Sequence, residues 1–195
     1  MRLLVSHLLA ALALFALPAR AATFEPLGFD QLTARAEQIF VGTVTAANPT
    51  RTARGMIVTD FEFADLEGVK GEVAAPRTSL RMAGGTVGRN TLTIPGAPTF
   101  RIGERYIVFV EGNGRVLFPT LGGPQGVFRL QVDNAKSRTL VLDYNGQPVQ
   151  SLPAVAPPLA RPKEASPRAG FAAQQEAFTK EAFVAEIRKR LGVAR

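Results

Sequence analysis

Any chemistry in this chain has to be built almost without histidine and entirely without cysteine. The single histidine, His7, sits in an apolar stretch at the N-terminus, and there is no cysteine. Beyond that stretch a Ser-His-Asp triad, a thiolate nucleophile and the usual zinc ligand sets are all out of reach. General acid–base work falls to carboxylates, lysine and tyrosine. The one dense run of carboxylates is Asp60, Glu62, Asp65 and Glu67. Asp60 and Glu62 are two residues apart, so on a strand they share a face. A carboxylate-pair hydrolase or a calcium site is one reading of them. The plainer reading is a solvated strand face opposite Phe61 and Phe63, and the EF-hand spacing is absent. No catalytic residue, metal ligand or cofactor is expected.

A second pattern is Gly84-Gly85-Thr86-Val87-Gly88. It lacks the Gly-Lys-Ser/Thr ending of a phosphate-binding loop, and no helical pattern follows it. Glycines at a turn or bulge explain it as well. Arg81 and Arg89 flank the loop. If the chain binds an anion, Arg81, Gly84, Gly85 and Arg89 are the residues to look at; otherwise the two arginines are ordinary surface charge.

The N-terminus sets the expected address. Met1-Arg2 precedes an apolar run from Leu3 to Leu17, Pro18 breaks it, and Ala19-Arg20-Ala21 offers small residues where a signal peptidase reads. Residues 1–21 are therefore expected to be a signal peptide cut between Ala21 and Ala22, giving a periplasmic or secreted protein. The run is 15 residues long, against the ~20 that span a bilayer. No later stretch is apolar enough to span one, and with no cysteine there is nothing to acylate. Absence of disulfides fits a bacterial periplasm.

Charge is uneven. Residues 22–150 carry 13 basic and 12 acidic side chains, whereas residues 151–195 carry eight basic and four acidic. A nucleic-acid-binding domain concentrates cations on its folded face, so no nucleic-acid partner is expected.

The elements that must position these residues are mostly short strands. Asp30 reads as an N-cap for a short helix over Gln31–Gln38. Strands follow at Phe40–Ala46, Ile57–Leu66, Thr78–Met82, Tyr106–Val110, Val116–Phe118, Val127–Val132 and Thr139–Asp143, with a short one at Thr91–Ile94. Asn48-Pro49-Thr50 reads as a turn, and Gly112-Asn113-Gly114 as a tight hairpin. Tyr106–Val110 is apolar at every position, so both of its faces must be covered. It is the expected centre of the fold. Composition changes at Pro148: residues 148–173 read as a proline-rich linker, and 174–195 as a C-terminal amphipathic helix capped by Thr179. Phe183, Ile187 and Leu191 give that helix an apolar face, which either docks on the strands or waits for an anionic surface. The fold expected for residues 22–147 is mainly β: an OB-like closed barrel behind a short N-terminal helix.

The order Ala36-Glu-Gln-Ile-Phe-Val-Gly-Thr-Val44, Thr59-Asp-Phe-Glu-Phe63 to Gly71, Gly84-Gly85 and Phe100-Arg-Ile-Gly-Glu-Arg-Tyr-Ile-Val-Phe109 resembles the netrin-like module. That is the OB-fold of the tissue inhibitors of metalloproteases, also similar to cysteine-free secreted bacterial proteins. The resemblance covers about Leu32 to Val132. It implies a non-catalytic module engaging a protein partner, a secreted protease among the options. The inhibitors chelate protease zinc through an N-terminal cysteine, so that route does not carry over. The other reading is an envelope-associated protein touching membrane or an anionic polymer through its basic C-terminal helix.

Overall fold

A computed structural model describes residues 24–73, 76–152 and 177–192. The expected leader with its Ala21/Ala22 cleavage point, residues 153–173 of the linker and residues 174–176 and 193–195 of the expected helix lie outside the described residues.

The protein is mainly β, as expected. Strands β1 (Gln38–Arg51), β2 (Ile57–Lys70), β3 (Thr78–Ala83), β6 (Arg105–Val110), β7 (Val127–Asp133) and β8 (Arg138–Leu142) form one antiparallel sheet in the order β3-β2-β1-β6-β7-β8. Between β3 and β6, β4 (Gly85–Val87) and β5 (Asn90–Leu92) pair as a separate two-stranded arm. Helix α1 spans Phe29–Arg35 and helix α2 spans Lys180–Arg190.

Strand β6 lies inside this order with β1 and β7 on its flanks, and its side chains split between two apolar layers. Ile107 and Phe109 join Ile39, Val41, Phe128, Val141 and the two helices on one side. Tyr106, Val108 and Val110 join Phe40, Phe63, Leu80 and Phe100 on the other. A strand covered on both sides has no position left for a polar residue, which is why its sequence does not alternate.

Among the described strands no ladder joins β3 to β8, so no closed barrel is found among them. The outer edge of β3 meets the 112–118 loop instead. The Asn113 side-chain amide accepts from the Arg81 N–H at 3.3 Å and donates to the Ser79 carbonyl at 2.7 Å. One side-chain amide thus takes the place of a backbone peptide group on that edge. Leu117 O then accepts from the Ala83 N–H at 2.9 Å. These contacts cover part of an edge that would otherwise template pairing with another chain. The strand expected at Val116–Phe118 is absent, and Val116 and Leu117 are exposed at 49% and 52%.

Other boundaries move for local reasons. Strand β1 runs through Pro49, where a turn was expected. Its ladder with β6 stops at Thr43, so Pro49 is paired only with β2 and its missing N–H costs no ladder bond on the other side. Strand β2 stops at Gly71, where φ is +71° and an added Cβ would lie 2.4 Å from Glu37 O. Asp30 is not the cap of α1. Gln31 reaches back to accept the Gly28 N–H at 2.8 Å, and the helix therefore starts at Phe29 and ends three residues short of the expected Gln38.

Helix α2 docks on the sheet. Thr179 Oγ1 accepts the Ala182 N–H at 3.2 Å, the expected cap. Phe183, Val184 and Ile187 are buried, and the Phe183 ring meets Phe29, Phe128 and Phe178. Of the two outcomes open to its apolar face, docking on the strands is the one adopted. Lys180 and Arg188 both pair with Glu67, Lys189 pairs with Glu186, and Arg190 pairs with Asp30 and Glu186. The start of the expected linker is also tied down. Pro148 bridges Leu142, and Val149 donates to Val141 O at 2.9 Å and accepts from the Phe178 N–H at 2.7 Å. No described helix is long and apolar enough to cross a membrane.

Candidate functional site

The four carboxylates of β2 do not converge. Asp60 sits opposite Arg81 in the β2–β3 register and accepts two hydrogen bonds from its guanidinium, both at 2.7 Å. That pairing raises the Arg81 pKa. Glu62 accepts from Asn48 Nδ2 at 2.8 Å. Asp65 takes the left-handed backbone at φ 53° and offers its carbonyl to Arg105, while Glu67 is held by α2. Among the described residues no group of three or more His, Cys, Asp or Glu side chains could hold a metal ion.

The glycine loop is explained by close approach. Thr59 Oγ1 donates to Gly84 O at 2.7 Å, and a Cβ on Gly85, where φ is +122°, would lie 2.3 Å from Thr59 Oγ1. The Gly84 N–H is already spent on Ile57 O. Arg81 is committed to Asp60, and Arg89 stands exposed at the turn between β4 and β5. The four residues therefore do not assemble into one anion cradle.

A polar depression of about 440 Å³ lies elsewhere, where β6, β7 and β8 end against the loops at 96–101 and 143–146. Strand pairing builds it: Tyr106 faces Arg129 across β6–β7, and Arg129 faces Leu142 across β7–β8, which puts Asp143 one residue on. The ring of Tyr106 belongs to the core beside Phe100, while its hydroxyl reaches the depression. That hydroxyl donates to Glu104 Oε2 at 2.6 Å and accepts from the Arg101 N–H at 3.1 Å. Burial, together with the bond to Glu104, pushes the Tyr106 pKa up to about 12. The other oxygen of Glu104 accepts from Arg129 Nη1 at 3.3 Å and faces Arg101 Nη1 at 3.7 Å.

Asp143 closes the far side. Its Oδ1 accepts the backbone N–H groups of Asn145 and Gln147 at 2.9 and 2.8 Å. Burial nevertheless holds its carboxyl above the ordinary aspartate value, and it also raises the neighbouring Tyr144 phenol. Arg101 and Arg129 balance Glu104 and Asp143, so the depression carries both signs and no net charge. Sequence reasoning placed Tyr106 in the core and stopped there. The signal it passed over is a tyrosine in a strand of aliphatics and phenylalanine, two residues after a glutamate and hence on the same face.

No protein-family model, curated protein or solved structure matches this chain.

Proposed function

We propose that the chain is an exported, non-catalytic binding module of curled, OB-like form, which recognises a protein partner at the depression between the 96–104 and 143–146 loops. One observation carries this reading: the polar groups there are fixed as donors and acceptors and are poorly placed to transfer protons. Tyr106 stays protonated to about pH 12, so its phenol serves as a hydrogen-bonding group and not as a base. Glu104 is held by Tyr106 and Arg129, one hydrogen bond to each carboxylate oxygen. The arginines present planar donor forks beside the loops that carry Pro98 and Gly146, a mixture of charged, aromatic and loop groups that suits a polypeptide surface. Export rests on the leader pattern, and the similarity to the netrin-like module points to the same class of activity, a secreted protease being one partner of that kind.

Affinity capture from the exported fraction of the producing cells, with the chain from Ala22 as bait, tests the proposal. A partner held by the wild-type protein and lost from Arg129→Glu supports it. A partner held equally by both places recognition elsewhere, and substrate turnover abolished by Glu104→Gln would replace it with an enzyme.

A further inference from the structure

The basic residues of this protein are not equally available. All four cations described in α2 face a carboxylate within 4.0 Å. A different end of the molecule carries cations with no such partner. The end of the β1–β2 hairpin holds Arg51, whose only described side-chain hydrogen bond is from Nη1 to Gly55 O, and Arg54, whose side chain has none described. The β4–β5 arm packs against this same hairpin: the Cβ position of Gly85 lies 3.3 Å from Pro49 and 3.6 Å from Ile57. From Gly85 the arm extends only to Val87 before turning at Gly88-Arg89, a reach of ~7 Å at the usual strand rise. Arg89 is therefore kept near the hairpin end, exposed and without a described partner. The nearest acid along β2, Asp60, is taken by Arg81. Met56, 36% exposed, sits in the same turn.

We propose that the β1–β2 hairpin end and the β4–β5 arm form a docking surface for an anionic phospholipid membrane, with Arg51, Arg54 and Arg89 at the headgroup phosphates and Met56 at the apolar boundary. Shape favours an extended surface over a small anion. Arg51, Arg54 and Arg89 are exposed and line none of four depressions on the protein surface, and cations outside such a depression can lie against a plane. Charge complementarity supplies the attraction, since juxtamembrane cations are drawn to anionic lipid within a Debye length. The exposed methionine supplies the apolar contact that distinguishes a lipid surface from a soluble polyanion.

Sedimentation of the chain from Ala22 with phosphatidylcholine vesicles, with and without phosphatidylglycerol, tests the assignment. The wild-type protein should partition onto the phosphatidylglycerol vesicles at low salt and leave them at high salt. Arg54→Gln/Arg89→Gln should weaken that partition roughly twenty-five-fold, about fivefold per cation. Lys189→Gln, which alters an exposed α2 cation, should bind like wild type. Both variants should melt like wild type, because the changed side chains are exposed. Failure of the wild-type protein to bind the anionic vesicles overturns the proposal. So does undiminished binding by the double variant, an equal loss in Lys189→Gln, or binding to soluble heparin without binding to vesicles.

Discussion

Arg190 lies over the ring of Phe29, its guanidinium carbon 4.9 Å from the centroid, and pairs with Asp30 in the same turn of α1. The ion pair joins residues 160 apart in sequence, and the cation–π contact lies beside it. The two helices are thereby clipped to each other as well as to the sheet.

Removing the helix contact should therefore be costly. Phe183 is fully buried between Phe29, Phe128 and Phe178, so Phe183→Ala should destabilise the protein by about 3–5 kcal/mol in urea unfolding. Phe109→Ala in β6 should fall in the same range. A loss below about 1 kcal/mol for Phe183→Ala would mean that α2 is not part of the cooperative unit.

The tyrosines predict an alkaline limit. Tyr106 moves from an ordinary value of 10.0 to about 12 on folding. The unfolded chain gives up this proton first, so its contribution to stability is whole below pH ~10 and is lost as pH rises through about 12. Phenolate absorbance from Tyr106 should appear together with unfolding. A fully formed phenolate signal from both Tyr106 and Tyr144 in the folded protein at pH 10 would contradict the described burial.

Asp143 is a second residue whose charge opposes folding, but its titration begins on the acid side. Its carboxyl is raised above 3.8 by burial. The folded chain holds that proton more tightly than the unfolded one, so stability declines as pH climbs from about 3.8 through the raised value. Asn in its place keeps an oxygen for the two amide N–H groups without the buried charge. Asp143→Asn should be at least as stable as wild type at neutral pH, with a flatter acid-side profile in thermal melts. A loss greater than about 1 kcal/mol would show that the charge is held by a compensating contact.

Gly85 tests the steric account of the glycine loop. With φ at +122° and Thr59 Oγ1 at 2.3 Å from the would-be Cβ, Gly85→Ala should cost about 1–3 kcal/mol. The double variant Gly85→Ala/Thr59→Ala should recover the clash component and leave the backbone strain. Equal stability of Gly85→Ala and wild type would remove the close-approach explanation.

What could be read from the sequence follows from how local its cause is. The run Tyr106–Val110 announces its own burial, since a strand covered on both sides has to be apolar throughout. Thr179 announces its helix start because a cap is decided within three residues. Closure of the sheet was not readable, because what meets the β3 edge is the side chain of Asn113, and that residue reads locally as a turn former. Pro49 misled for a similar reason: its turn propensity is local, while the absence of a ladder on its other side is set by where β6 ends. The depression was hidden by distance along the chain. Glu104, Arg129 and Asp143 become neighbours only through the pairing of β6, β7 and β8.

Val149 and Phe178 meet at the edge of β8, where the Phe178 N–H donates to Val149 O, so the chain leaves the sheet and returns to it at one point. The same adjacency makes this the natural place to open the chain: joined elsewhere, a permuted protein could begin at residue 178 and end at residue 149 with every described strand still in register.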